Sequence, residues 1–341
     1  MDLSELTTLR VGGPARELVL AESADAIVHA ALGVWATGED WLALGGGSNM
    51  VVSDDGFDGT VIRIGSHGIT ALPSAAGTVR LRVEAGEPWD DLVAHSVRQG
   101  LGGLEALSGI PGSTGAAPMQ NIGAYGQEIA DTLVAVEFLD HETGQLVRLP
   151  AAELSLAYRS SVFKDGRAGI VTALEMDFDD ADGLSRPVAY DQLAAALGVA
   201  VGERAPVAEV RAAVLALRAS KGMVLDPADP DTTSAGSFFT NPLVTAGFAR
   251  SLPEAAPRWE TDSGEVKVSA AWLIERAGIR RGFRLPGSGA AISSKHTLAL
   301  TNTGGATASD ITELARLVQE RVRNEFGIYL RPEPVYVGFG A

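Results

Sequence analysis

The chain has 341 residues, 46% hydrophobic and 21% charged, which is the balance of a folded protein of two or three domains rather than a disordered one. Its 27 Lys and Arg against 43 Asp and Glu leave a net charge of −16, so nucleic acid and anionic membrane surfaces are poor partners. The absence of cysteine excludes disulfides, thiolate metal sites and cysteine nucleophiles.

Several further exclusions shape the expectations. No run of about 18 apolar residues offers a membrane span, and the opening MDLSELTTLRVGG lacks the pattern of a secretory signal. A cytoplasmic protein without a membrane partner is therefore expected, consistent with its cysteine-free composition. His29, His67, His95, His141 and His296 show no metal-ligand spacing, and no metal site is expected.

In chain order, Ser23 precedes a helix, and the apolar strand 40–44 runs into three glycines. Strands follow at 60–64 and 78–83, the second alternating in period two. Trp89, Leu92, Val93 and Val97 line a helix that Gly100 ends. Strands at 134–139, 145–149 and 170–178 come after a small-residue tract, and the mixture argues for an α+β fold. Beyond residue 200 helices dominate: 207–217 behind Pro206, 270–277 entered through Ser269, and one spanning 311–322 that Gly327 ends. Asp310 and Glu313 read as the capping box of the last helix. The polar run 179–183 marks a boundary near 180–205.

Gly45-Gly46-Gly47-Ser48-Asn49 follows a strand, and its glycines let backbone N–H groups approach a phosphate; it reads equally well as a glycine turn. The uncharged tract from Ile110 and Pro111 through Gly115, Gln120, Asn121, Gly123, Ala124 and Tyr125 to Gly126 suits a flat ring or a pyrophosphate lying on backbone. Its amides need hydrogen-bond partners, which a ligand or the protein itself can supply.

With Tyr158-Arg159-Ser160-Ser161-Val162-Phe163-Lys164 and Ala235-Gly236-Ser237-Phe238-Phe239-Thr240-Asn241-Pro242 following in order, the chain resembles the UDP-N-acetylenolpyruvoylglucosamine reductase family from Thr7 to Glu333. The resemblance implies a FAD-binding domain of the vanillyl-alcohol oxidase type over 1–180, in two parts near 1–65 and 66–180. It also implies a linker and substrate loop at 181–205, a smaller α/β substrate domain at 206–325, and a C-terminal segment, 326–341, returning to the active site. FAD would be held by the two glycine-bearing tracts and Ile170, with NADPH as co-substrate. The implied activity is reduction of UDP-N-acetylglucosamine enolpyruvate to UDP-N-acetylmuramate for peptidoglycan synthesis, and hence cell-wall biogenesis, cell shape and division.

In that reaction hydride passes from NADPH to FAD and then to C3 of the enolpyruvyl group, leaving an enolate at C2 that needs charge stabilisation and a proton. By resemblance Arg159 holds the carboxylate, Glu333 stabilises the enol form, and Ser237 protonates C2. Taken singly, these residues also read as an ion-pair partner, a solvated charge and a turn or helix cap. Tyr158, Arg218, Lys221 and Asn241 are implied substrate contacts, although Arg218 and Lys221 alone read as cations complementing a helix C-terminus. Tyr190 matches the closing loop of one family subgroup, which makes 180–200 an expected mobile segment. Lys295-His296 stands where some relatives carry glutamines, and Tyr336 stands where a basic residue is expected.

Two other functions fit parts of the pattern. A flavin-dependent sugar or lactone oxidase accounts for both glycine tracts but not for Ser237 in its setting or for Arg218 with Lys221. A flavin-binding sensor or scaffold has no need of Arg159, Ser237 and Glu333 together. The expected partners are small molecules, and the chain is expected to be a monomer.

Overall fold

A computed structural model describes residues 1–261 and 263–340, and the chain divides into two compact units that are not contiguous in sequence. The first comprises Ala15–Gly47 and Asp58–Ser220; the second comprises Met1–Pro14, Ser48–Phe57 and the residues from Lys221 on.

The first unit is built on an antiparallel sheet in the order Leu146–Pro150, Leu133–Asp140, Gly169–Asp180, Thr78–Glu84, Ile69–Leu72, with Leu101–Gly102 pairing the end of the central strand. Period-two alternation decides its faces. Leu81 and Val83 are buried with Val136, Phe138, Leu174 and Met176. The residues between them carry ion pairs, Arg80–Asp177 at 2.6 Å, Arg82–Glu137 at 2.7 Å and Arg148–Glu175 at 2.6 Å. A smaller sheet orders Ala15–Ala21, Phe57–Ile64 and Trp41–Leu44, the last two parallel. Its companion helix Ala24–Thr37 starts where Ser23 Oγ accepts the Ala26 N–H, and it stops at Gly38 in the left-handed region.

The segment after the central strand is not an open linker. Ser185 N–H donates to the Ala205 carbonyl and Val188 N–H to that of Glu203, both at 2.8 Å, so 185–188 and 203–205 form a paired stem. The stem carries the short helix Asp191–Leu197. Val188, Leu193 and Ala194 pack on Val210 and Val214 of helix Val207–Ala219, and Arg211 pairs with Asp90 at 2.7 Å. That helix therefore belongs to the first unit, which differs from a division starting a new domain at 206. The charged run 179–183 concealed an apolar stripe that finds its partner close by in sequence.

The second unit centres on helix Ala308–Phe326, whose Ile311, Leu314, Val318 and Val322 are buried with Leu273 and Ile274 of helix Ala270–Arg276. The helix begins one turn before the expected position. Thr307 and Asp310 form the capping box, each side chain accepting the other's backbone N–H at 3.0 Å, and Asp54 accepts the N–H groups of Ala308 and Ser309. Three oxygens on the first turn outweigh an Asp310–Glu313 box further in. Residues from the N-terminal part of the chain complete this unit. Met50–Val52 pairs in parallel with Val335–Val337, and Leu9, Val11 and Val51 join the core of Phe238 and Phe239. Division of the chain strictly in sequence order is thus not what the structure shows.

Candidate active site

In the first unit the two glycine-bearing tracts lie backbone to backbone. A Cβ on Gly45 would sit 2.3 Å from Ser113 Oγ, and one on Gly46 2.5 Å from the Gly112 Cα. Gly115 is as constrained, its missing Cβ falling 2.5 Å from that of Ala85. Among the described residues no acceptor takes the N–H of Gly46 or Gly47, and Gly47 has φ +61°. Adjacent amides without a protein acceptor at such a turn are the makings of an anion-binding nest. This fits the pyrophosphate of FAD. Ile110 and Pro111, partly buried, lead into the second tract; Gln120 ends its 3₁₀ turn and Ala124 lies in a short pairing with Gln127.

Asn121 is buried, but its side chain serves the protein. Nδ2 donates to Glu128 at 2.6 Å and to the Ala157 carbonyl at 3.2 Å, while Oδ1 accepts the Ala130 N–H at 3.2 Å. The Asn121 side chain, expected as a flavin ligand, braces this loop in the structure. Ile170 is likewise buried against Leu139 in the core, so its side chain is packing rather than a ligand contact. The bracing has a purpose. Ala157 and Ser160 close a tight turn with Tyr158 and Arg159 at its centre, and Arg159 has φ +53°, a conformation that such turns normally reserve for glycine. Its guanidinium donates to the Asn121 carbonyl at 3.3 Å and to that of Gly123 at 2.9 Å, and it lies over the Tyr158 ring. Ser161 Oγ donates to the Met119 carbonyl at 2.6 Å. Asn121 and Tyr125 also have positive φ, at 46° and 50°. Left-handed residues gathered on two adjoining loops are a pattern that clusters at functional sites.

Tyr125 meets Tyr190 edge to face, ring centroids 5.6 Å apart. Burial raises the Tyr125 pKa against the pull of nearby Arg218. Arg218 donates to the Gly109 carbonyl at 3.3 Å, and its burial holds its guanidinium below the ordinary arginine range. In a chain of charge −16, a desolvated cation beside Tyr125 and Asp90 suits an anionic ligand. Asp90, which sequence reasoning passed over, steadies this corner by accepting the Gly109 N–H at 2.6 Å while pairing with Arg211.

In the second unit Ser237 stands between left-handed Gly236 and the buried pair Phe238 and Phe239. The Phe238 carbonyl accepts the Glu333 N–H at 2.9 Å, which seats Glu333 beside the segment that carries the serine. Asn49 Nδ2 donates to the Glu333 carbonyl at 3.3 Å and so helps place the C-terminal segment, while the Ser48 backbone carbonyl accepts from Thr8 Oγ1 at 3.4 Å. Asn241 Oδ1 accepts the Ala270 N–H at 2.9 Å, capping a helix rather than offering that oxygen to a nucleotide. Lys221 acts electrostatically on His296. Tyr336 meets Phe339 edge to face, and burial pushes its pKa up to about 12.

Burial first, then the charges of Lys221 and Arg281, lower the His296 pKa to about 4. The unfolded chain binds this proton first as pH falls, so stability declines between the ordinary histidine value and that lowered one. The loss expected is about 2 to 3 kcal/mol. Denaturant melts at pH 7.5 and pH 4.5 should show a smaller difference for His296→Gln than for the parent chain.

Among the described residues no helix is long and apolar enough to cross a membrane, and no cluster of acidic and histidine side chains forms a metal site. Residues 15–150 match a family model described as a FAD binding domain, and 227–337 match one described as UDP-N-acetylenolpyruvoylglucosamine reductase, C-terminal domain. The UDP-N-acetylenolpyruvoylglucosamine reductase of Leifsonia xyli is 56% identical, over 98% of each chain. That of Salinispora arenicola is 51% identical over 98% of this chain and 94% of its own length. The solved structure of the Thermus caldophilus reductase aligns with a TM-score of 0.66 at 29% identity, covering 99% of this chain and 97% of that one.

Proposed function

The chain belongs to the UDP-N-acetylenolpyruvoylglucosamine reductase family, and from that premise we propose that Arg159, Glu333 and Ser237 carry its reduction of UDP-N-acetylglucosamine enolpyruvate to UDP-N-acetylmuramate. The chain is an oxidoreductase with a FAD-binding domain, acting on small-molecule substrates in peptidoglycan-precursor synthesis. It works as a cytoplasmic monomer, and cell shape and division depend on its product.

FAD, which the glycine tract 45–47 and the tract 110–126 would hold, would supply the hydride chemistry between NADPH and C3 of the enolpyruvyl double bond. The chain's own residues do the rest. Gly46 and Gly47 present amides to the cofactor's pyrophosphate. Arg159 holds the substrate carboxylate, on which charge builds as the C2–C3 π pair moves toward C2. Its own bonds to two backbone carbonyls fix the direction from which it does so. Glu333 stabilises the enol form as it develops. Ser237 Oγ–H delivers the proton to C2, and the resulting alkoxide is reprotonated from solvent. Arg218 and Lys221 bind diphosphate, and Tyr190 covers the bound nucleotide.

The observation that carries this reading is the left-handed turn at Arg159, a cation kept in a costly conformation and braced by Asn121. The test is product analysis. Purified chain with NADPH and the enolpyruvyl nucleotide should yield a nucleotide two mass units heavier, at one NADPH per product and without oxygen. NADPH consumption that requires oxygen, with the nucleotide unchanged, indicates an oxidase instead.

A further inference from the structure

Glu105 is completely buried in an apolar run, Leu101-Gly-Gly-Leu-Glu-Ala-Leu107, and none of the roles assigned above uses it. A carboxylate there must be surrounded by donors. Oε2 accepts the Gly103 N–H at 2.6 Å, and Oε1 accepts Gln127 Nε2 at 2.8 Å and the Arg186 N–H at 3.0 Å. Gln127 is oriented in turn, its Oε1 accepting the Ala106 N–H at 2.9 Å.

The Arg186 bond begins a line of contacts that ends at Tyr190. Arg186 meets Gln127 through the shared carboxylate. Ala189 lies against Gly126, where an added Cβ would come within 2.9 Å of the alanine's own. Tyr190 then rests on Tyr125. Residues 186–190 thus lie along 125–127, with the buried carboxylate at one end and the tyrosine pair at the other. All of these residues belong to the first unit.

We propose that Glu105 is a positioning residue for substrate binding, a buried carboxylate that holds the Tyr190 segment docked before any ligand arrives. The proposal rests on the reading of Tyr190 as a nucleotide contact. Docking in advance lowers the entropy that binding must overcome, so its loss falls on affinity rather than on the chemical step. The carboxylate is specifically required. Every group facing its two oxygens is a donor, so an amide must turn its own N–H groups against another.

The test uses the full-length flavoprotein and two variants that undock the segment from opposite ends. Glu105→Gln disturbs the anchor. Gly126→Ala acts at the other end, where the new methyl meets Ala189 and the φ of +86° adds backbone strain, leaving the carboxylate itself in place and covering the case in which Glu105→Gln fails to fold. Without any ligand, both should speed amide hydrogen exchange across 186–190 by about tenfold or more, as a local opening does. The KM for the enolpyruvyl nucleotide should rise about tenfold in both variants, with kcat and the rate of flavin reduction by NADPH changed less than about twofold in Glu105→Gln. Unchanged exchange in Gly126→Ala, or faster exchange with unchanged KM, overturns the proposal. A parent chain that does not reduce the nucleotide at all refutes the substrate reading instead, and the exchange result then decides the docking alone.

Discussion

Ser237→Ala is expected to leave reduction of the bound flavin by NADPH within about twofold of the parent rate while slowing reoxidation by the enolpyruvyl nucleotide ~10²- to 10⁴-fold. The asymmetry follows from where the hydroxyl acts. Hydride leaving NADPH requires no proton from the protein, whereas hydride reaching C3 leaves C2 with an electron pair that only a proton relieves. Among the described residues Ser237 Oγ makes no hydrogen bond, so its removal orphans no partner. The flanking Phe238 and Phe239 remain anchored in the core, and Gly236 keeps its left-handed turn. Melting temperature should therefore hardly move. Stopped-flow measurement of the two half-reactions checks this, and an equal fall in both removes Ser237 as proton donor.

The second large effect is expected at the glycine cradle. In Gly46→Ala the new methyl would stand 2.5 Å from the Gly112 Cα, 2.7 Å from its carbonyl carbon and 3.0 Å from the Ser113 nitrogen. These are backbone atoms, so no rotamer change relieves the overlap and the two tracts must separate. Overpacking of this kind costs about 1 to 3 kcal/mol, which weakens flavin binding by roughly 10- to 100-fold if it falls on the docked arrangement of the tracts. Gly33 offers the control. It lies inside helix Ala24–Thr37 with nothing within 4 Å of an added Cβ, so Gly33→Ala should retain full flavin and gain about 0.5 to 1 kcal/mol of stability. The ratio of absorbance at 450 nm to that at 280 nm after purification distinguishes the variants. Stoichiometric flavin in Gly46→Ala contradicts the cradle.

Much of this molecule announces itself locally. Thr78–Glu84 carries its alternation openly, and the helix 207–219 shows its apolar stripe, because both patterns are written in neighbouring residues. The pairing of Val335–Val337 with Met50–Val52 leaves no such mark, since two three-residue strands almost 300 positions apart have no local signature of each other. For that reason the N-terminal residues were expected with the flavin-binding region rather than in the second unit. Polar residues in apolar tracts announce a need without naming who meets it. Asn121 and Asn241 were expected to meet ligands; the Asn121 side chain bonds Glu128 and backbone of its own unit, and Asn241 Oδ1 accepts the Ala270 N–H. Glu105 sent the same signal, a lone acid between Leu104 and Ala106, and its answer, the Arg186 N–H, lies 81 residues away. The family pattern made Arg159 legible, but its left-handed backbone and the bracing around it are visible only in three dimensions.

The account stands most directly on an anaerobic titration of the purified yellow protein. NADPH added alone should bleach the flavin once and then stop, and the enolpyruvyl nucleotide should restore the colour in proportion to the amount added. Colour that returns only with oxygen, or that never returns, contradicts it.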